Sequence, residues 1–210
     1  MHSDVLIVAH AHRRPRIECA GGVAARVTEP DTVHLVSTAA TPVGGDTIAL
    51  RVVVESGARL RLRSAAATVT LPGRATAEST AHWHLEVAGD LDVDPQPTVV
   101  AAASRHSTVT QLSVVGTGRV RLRERVQIGR AGERQGFWSG SLHADVDGRP
   151  LLRHRIELGE DSVTHDLIAA PLASVSELRY PGIADDALGT VLELADGGSL
   201  ATWQGSRLPS

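Results

Sequence analysis

The sequence predicts an all-β, helix-poor protein whose stacked strands resemble a β-helical or layered-sheet architecture. First, 20 Gly and 10 Pro interrupt the 210 residues at short intervals. Second, the segments between them are rich in Val, Thr, Leu and Ile with period-two alternation, which is typical of strands joined by turns. Third, a strand, a glycine turn and another strand recur at 54–60, 87–93 and 115–120. This recurrence indicates similar strand pairs stacked along one axis.

The N-terminal segment and the single cysteine point to a reducing compartment. Residues 1–9 have no basic start, and their apolar run of five residues is too short for a signal peptide. Cys19 is the one cysteine of the chain, so it has no partner for an internal disulfide. We therefore expect a cytoplasmic protein that does not enter a membrane.

Two segments carry the strand pattern most clearly, at 59–63 and 119–128. Arginine alternates with an aliphatic residue in both. Because successive side chains of a strand point to opposite faces, the arginines should share one face and the aliphatics the other. The arginine face is either solvated or a surface for a partner.

Helix is predicted only as one or two short pieces towards the C-terminus, at 172–178 and 184–188. Pro171, Pro181 and Gly189 limit their extension. No linker or change of composition divides the chain, so residues 1–210 are expected to form a single domain.

The charge balance excludes several classes of function. The net charge is -3, and all 21 basic residues are arginine. Without lysine the chain has no GxxxxGK phosphate-binding loop, no Schiff-base amine and no kinase-type lysine. Its arginines are spaced along strands rather than clustered, which argues against a nucleic-acid partner.

Two pairs of histidines are the clearest candidates for metal chemistry. His82 and His84 should share one strand face, as should His10 and His12, because residues i and i+2 of a strand point the same way. Such a pair can supply half of a metal site, but no third ligand follows at a diagnostic spacing. The histidines are therefore either surface residues or metal contacts, and no enzyme motif is found.

Seven short elements, taken in order, resemble the urease accessory protein D family, called UreD or UreH. The first is Pro42–Asp46, in which Gly44, Gly45 and Asp46 match a GGD element. The others are a turn at 56–60, a small-residue segment at 66–68, a strand at 85–89, an element with Pro95 and Gln96, a loop with Gly129, Arg130 and Glu133, and a turn at 148–152. The resemblance covers roughly residues 33–158.

The resemblance implies a β-rich fold and a role that is not enzymatic. Family members act as a scaffold with UreF and, through UreF, with the GTPase UreG, and they dock on the urease apoprotein. It further implies a dimeric arrangement within a hetero-oligomeric complex, transient nickel and no tightly bound cofactor. An internal passage is thought to carry the nickel, and its lining would here include Asp46, Thr68, Glu124 and His154.

Each of these residues also has a purely structural interpretation. Asp46 could cap a turn through backbone amides, and Glu124 could pair with a neighbouring arginine. The chain also departs from the family pattern: Val69 replaces a lysine, Leu71 an aromatic residue, and residues 92–93 a Glu-Trp pair. His154 stands where an acidic residue is frequent, and the C-terminal region is shorter than expected of the family.

Two other functions compete with urease maturation. One is a stand-alone β-rich metal-dependent hydrolase that uses His82, His84 and a carboxylate. The other is a β-solenoid module that binds carbohydrate, which would need an exposed row of aromatic residues that five scattered aromatics do not offer.

Overall fold

The computed structural model describes residues 1–163, 170–184 and 188–209, and these form two facing β-sheets. The strands, in chain order, are β1 (His2–His10), β2 (Arg13–Ala20), β3 (Val23–Glu29), β4 (Thr32–Ser37), β5 (Thr47–Val54), β6 (Arg59–Ser64), β7 (Thr68–Thr70), β8 (Glu78–Val87), β9 (Asp90–Val93), β10 (Thr98–Val100), β11 (Arg105–Val114), β12 (Arg119–Ile128), β13 (Phe137–Val146), β14 (Arg149–Gly159), β15 (Ala173–Tyr180), β16 (Thr190–Glu193) and β17 (Ser199–Gly205).

Sheet A contains seven strands in the order β14-β13-β11-β8-β5-β1-β2. Its five inner strands, β13 to β1, are parallel to one another. The two outer strands, β14 and β2, are antiparallel to their neighbours.

Sheet B follows the order β16-β17-β15-β12-β9-β6-β4-β3. Strands β12, β9, β6 and β4 are parallel, and the strands outside them are antiparallel. The second half of β12 pairs with β10, and β10 pairs with β7, so these short strands extend the sheet.

Successive coils of the chain stack in register. Each coil runs along a strand of sheet A, through a tight turn, and into a strand of sheet B, as in β5–β6, β8–β9 and β11–β12. The turns lie in the recurrent segments at 54–60, 87–93 and 115–120, which had predicted stacked strand pairs. Gly118 closes the third turn: a Cβ there would lie 2.4 Å from the carbonyl oxygen of Val87 in the preceding coil.

The predicted short helix at 172–178 is wrong, because Ala173–Tyr180 forms strand β15. This strand pairs with β12 on one side and β17 on the other. Val175 and Glu177 are both buried, and pairing on both sides favours the strand over a helix. The second predicted helix, 184–188, includes 185–187, which lie outside the described residues. Across the described parts of the chain, no residue is helical.

The arginines of β6 and β12 lie on the outer face of sheet B, as the alternation predicts. Carboxylates hold them there: Arg63 contacts Asp92 at 2.6 Å, and Arg121 contacts Glu177 at 3.0 Å. The aliphatic residues of the same strands point inward, where Leu60 and Leu62 are fully buried.

The apolar core is divided into two clusters. The larger one packs against the tight turns and includes Ile7, Leu60 and Leu85. The smaller one contains Trp138, Ile128 and Leu158. Polar and small side chains face inward between the two clusters.

No helix in the described residues is long and apolar enough to cross a bilayer.

Candidate functional site

An internal cavity of about 270 Å³ lies between the two sheets. Its lining extends along the stack of coils, from Leu35 on β4 to Ser176 on β15. The space exists because inward positions of β11 carry the short side chains of Thr108 and Thr110, whereas Leu112 and Val114 on the same strand fill the core. On β13, Gly140 leaves room for the Trp138 ring, which would contact a Cβ there at 2.2 Å.

Glu124 supplies the one carboxylate of the described cavity lining. It is on β12 between Leu122 and Val126, which are buried on the inner face, and it lies opposite Ser176 of β15. No hydrogen bond or ion pair joins Glu124 to another described residue. Burial raises its pKa to about 7, since an enclosed cavity solvates a charge less well than water does.

The arginines beside Glu124 do not neutralise it. Arg123 is 3.6 Å from Glu177, and Arg125 donates to Asp94 at 2.9 Å. Both of these ion pairs belong to the network on sheet B, so the structural interpretation of Glu124 as an arginine partner does not apply. An unpaired carboxyl group therefore faces the cavity.

His154 lies where the cavity meets a pocket on the surface. It occupies β14 opposite Leu142, and its ring lines both the cavity and an outer pocket that Thr202 and Trp203 also line. Its Nε2 atom is buried without a hydrogen-bond partner, an arrangement that costs about 1 to 3 kcal/mol. Burial lowers the pKa of His154, which favours the neutral imidazole that can bind a metal.

Thr68 lines the same cavity from strand β7. It is the first residue of that strand, and it lines the cavity together with Thr98 of β10, with which it pairs in register. Three of the four residues carried over from the family resemblance, Thr68, Glu124 and His154, thus come from different strands to line one cavity.

Sequence reasoning missed His106, which also lines the cavity. It is 3% exposed, and its Nδ1 lies 2.9 Å from the Ser79 hydroxyl. Burial lowers its pKa to about 4. The signal was present in the alternation of β11, where His106 has the same parity as the buried Leu112 and Val114.

Asp46 does not line the cavity. Its carboxylate accepts hydrogen bonds from the Met1 amino group, the Thr41 hydroxyl and the Val43 amide. Burial alone raises the pKa of Asp46, but these three hydrogen bonds outweigh it and hold the pKa below its ordinary value. The turn-capping interpretation therefore describes its contacts.

Two glycines shape the turn that precedes Asp46. Gly44 packs against the neighbouring loop, where a Cβ would lie 1.9 Å from the carbonyl oxygen of Thr76. Gly45 has a φ of 94°, in the left-handed region that favours glycine. The GGD element is thus a tightly packed turn beside the cavity rather than part of its lining.

Two further family-like elements, at 95–96 and 129–133, have defined contacts. Pro95 and Gln96 line it, the Pro95 carbonyl accepting from Arg125 and the Gln96 amide donating to Ser64. Glu133 accepts from the Arg130 guanidinium group and from two backbone amides, and these contacts lower its pKa to about 2. Gly129 has a φ of 79° at the start of this loop.

His82 and His84 lie on the outer face of sheet A, away from the cavity. Both are exposed, and His84 is 3.8 Å from Glu86. The described residues contain no group of three or more His, Cys, Asp or Glu side chains that could hold a metal ion. The hydrolase interpretation therefore lacks a ligand set in the described structure.

The donor set of the cavity suits weak, exchangeable cation binding. Hydroxyl oxygens, one carboxylate and imidazole nitrogens are all ligands for divalent metals. They are distributed along the lining rather than gathered around one point. A cation could contact them in turn without being trapped.

Comparison with known proteins gives one consistent result. A family model described as UreD urease accessory protein matches residues 23–199. "Urease accessory protein UreD 1" of Saccharopolyspora erythraea is 43% identical over 141 residues, which are 66% of this chain and 55% of that protein. The UreD of Frankia alni is 42% identical over 150 residues, 70% of this chain and 47% of that protein. The chain thus spans about half the length of these curated relatives.

Proposed function

The chain belongs to the UreD family of urease accessory proteins, and from this membership we propose that it acts in urease maturation by conducting nickel to the urease apoprotein. In this proposal it works in the cytoplasm within a complex that contains UreF and, through UreF, the GTPase UreG. Two copies serve in each hetero-oligomeric complex. Nickel is the cargo, and the chain catalyses no reaction.

The cavity is the observation that carries the proposal. The family resemblance implies that Thr68, Glu124 and His154 are passage-lining residues, and the three line a single internal space. A carboxyl group without a partner is costly in an ordinary core, and Glu124 is half-buried. Its presence on the inner face of β12 supports a role in holding a cation in transit.

The weak binding expected of these donors supports transit of nickel through the cavity rather than storage of nickel in it. An ion moves through a passage when each site is favourable enough to enter and weak enough to leave. Three thiolates would hold nickel tightly, whereas an isolated carboxylate or hydroxyl releases it readily. Cys19, the one cysteine, is exposed and lies outside the cavity lining.

The test is reconstitution of urease with variants of the lining. Thr68→Trp should obstruct the passage, and Glu124→Ala should remove its carboxylate, so both should lower nickel per urease active site and urea turnover. Val69→Trp is the matched control for bulk, because Val69 is the next residue of β7 and points to solvent with 38% exposure. Glu78→Ala is the control for charge, since Glu78 is exposed at the start of β8.

Assembly must be measured beside activity, because a Trp in a tight space can cost about 1 to 3 kcal/mol through overpacking. The complex with UreF and urease is therefore isolated before nickel is counted. Full nickel loading by an assembled Thr68→Trp variant and by Glu124→Ala would mean that the cation takes another route.

A further inference from the structure

We propose that His154 is the residue that selects nickel over the harder cations Mg²⁺ and Ca²⁺ where the cavity meets the surface. This inference rests on the proposed function, because it assigns a specificity to the same passage. Four observations carry it: the oxygen donors elsewhere in the lining, the distance of the other imidazole from the outer pocket, the position of His154 and its unpartnered ring nitrogen.

Oxygen donors alone discriminate poorly among divalent cations. The lining presents hydroxyls from Thr68, Thr108 and Ser176 and the carboxylate of Glu124. Carboxylate and hydroxyl oxygens suit Mg²⁺ and Ca²⁺, whereas an imidazole nitrogen favours nickel, copper and zinc. Selectivity for nickel therefore requires a nitrogen donor.

The second imidazole of the lining, His106, lies away from the outer pocket. Its Nδ1 lies 2.9 Å from the Ser79 hydroxyl, and the residue is 3% exposed. Because His106 does not line the outer pocket, a cation that enters from there meets His154 first. His154 has no such partner in the described residues, and its Nε2 is buried unpaired.

The position of His154 places it on a route between solvent and the cavity. Two residues, His154 and Ile156, line both the internal cavity and the outer pocket between β14 and β17. Ile156 offers no donor. A cation that passes between the two spaces therefore meets the imidazole of His154 before or after the oxygen donors.

The three tryptophans of the chain provide a direct readout. Trp83 and Trp138 line the cavity, and Trp203 lines the outer pocket. Bound Ni²⁺ quenches nearby indole fluorescence, whereas Mg²⁺ does not. A Trp203→Phe, Trp83→Phe background leaves Trp138 of the cavity as the reporter, because Trp83 stands between the exposed His82 and His84.

The experiment titrates the full chain with NiCl₂ in the presence and absence of excess MgCl₂. The midpoint is the nickel concentration that gives half of the maximal quenching. We expect the midpoint of the parent, which carries His154, to change little when magnesium is added. For His154→Gln, which keeps a polar side chain but loses the imidazole, added magnesium should raise the midpoint by about tenfold or more. The matched control is His82→Gln, the same substitution at an exposed histidine outside the cavity, and it should behave like the parent.

A second variant keeps the test decisive if His154→Gln fails to fold. His154→Glu places an oxygen donor at the same point and should bind nickel with a midpoint that magnesium raises strongly. Equal magnesium sensitivity in the parent and in a folded His154 variant would overturn the selectivity inference while leaving the passage in place. Absence of nickel-dependent quenching in the parent would overturn both.

Discussion

Glu124 lowers the stability of the folded protein, because it places a carboxyl group on the inner face of β12 next to the cavity. Every other inward position of β12, from Val120 to Ile128, is aliphatic and buried. A carboxyl group in this row must remain neutral or be charged in a poorly solvating space, and both states are less favourable than exposure to water. The neutral form prevails up to the raised pKa of about 7.

The first prediction concerns the pH dependence that follows. Between the ordinary pKa of 4.5 and the folded-state value of about 7, the folded protein holds a proton that the unfolded chain has released. The contribution of Glu124 to the free energy of unfolding therefore falls as pH rises through this window and stays lower above it, against the opposite contributions of His106 and His154, whose pKa values are lowered. Glu124→Gln should match the parent near pH 4 and be more stable by about 2 to 3 kcal/mol at pH 8, as measured by urea unfolding.

Glu78→Gln is the control for this measurement, because Glu78 is exposed on the outer face of β8. It should leave the pH profile of the parent unchanged. An identical pH profile of stability in Glu124→Gln and the parent would mean that Glu124 does not titrate in this window.

The second prediction separates Asp46 from the passage. Asp46→Ala leaves the Thr41 hydroxyl and the Val43 amide without their acceptor, so we expect a loss of about 1 to 3 kcal/mol in unfolding free energy. Nickel delivered per assembled complex should stay at the parent level, because the residue does not line the cavity. Reduced delivery by a fully assembled Asp46→Ala complex would place the route beside this turn.

At the scale of elements, the coils are joined by contacts that tolerate no side chain. Gly89 and Gly118 occupy equivalent positions in successive turns, next to the register partners Asp90 and Arg119. A Cβ on Gly89 would lie 2.3 Å from the Ala58 carbonyl oxygen, close to the 2.4 Å found for Gly118 against Val87. Direct backbone contact thus sets the separation between coils.

The third prediction uses this contact. Gly118→Ala should destabilise the protein by about 3 kcal/mol, because backbone atoms of two coils must separate to admit the methyl group. Gly116→Ala, two residues earlier in the same turn, is the control: its φ of 58° is strained for alanine, but no heavy atom lies within 4 Å of the new Cβ. It should cost only about 1 to 2 kcal/mol in the same unfolding measurement.

The alternation of polar and apolar residues was sufficient to predict strands with one apolar face. It was insufficient to predict a strand that is buried on both faces. Strands β6 and β12 were predicted because arginine and aliphatic residues alternate. At 172–178, Leu172, Val175 and Leu178 recur at intervals that resemble a helix, and only the pairing of β15 with β12 and β17 reveals the strand. The family assignment rested on ordered short motifs, and the family match confirms it.

The cavity could be predicted only in part. Residue identity in the family-like elements indicated Thr68, Glu124 and His154, which the fold brings to one space. The motif alone could not show that the Asp46 side chain turns towards Met1, Thr41 and Val43. His106 escaped notice although it shares the parity of Leu112 and Val114, because histidine is not among the apolar residues that mark the inward face of a strand.

At the scale of the whole molecule, β16 has a neighbouring strand on only one side among the described residues. Strand β16 is exposed along its full length, and Leu192 and Val191 are 52% and 36% exposed. An edge strand with apolar side chains can pair with another chain. We therefore expect the isolated protein to aggregate and co-expression with UreF to raise its soluble yield.

The fourth prediction tests the contribution of this edge. Leu192→Arg should lower the aggregated fraction of the isolated chain in light scattering, because a charge on an edge strand discourages pairing. Val115→Arg is the control, since Val115 is 44% exposed but lies in a turn between β11 and β12. Equal improvement by both variants would attribute the effect to net charge rather than to the edge.

The antiparallel strands at both ends of each sheet break the translational symmetry of the stack. Inside, one coil is related to the next by a simple shift of one strand spacing, and such a lattice has no inherent length. Strands β2 and β14 reverse direction at the two ends of sheet A, as β3 and β15 do beside the parallel strands of sheet B. At these ends a second molecule would meet a strand of reversed direction, so its coils cannot continue the series by the same shift, and the run of parallel coils around the cavity has a defined length.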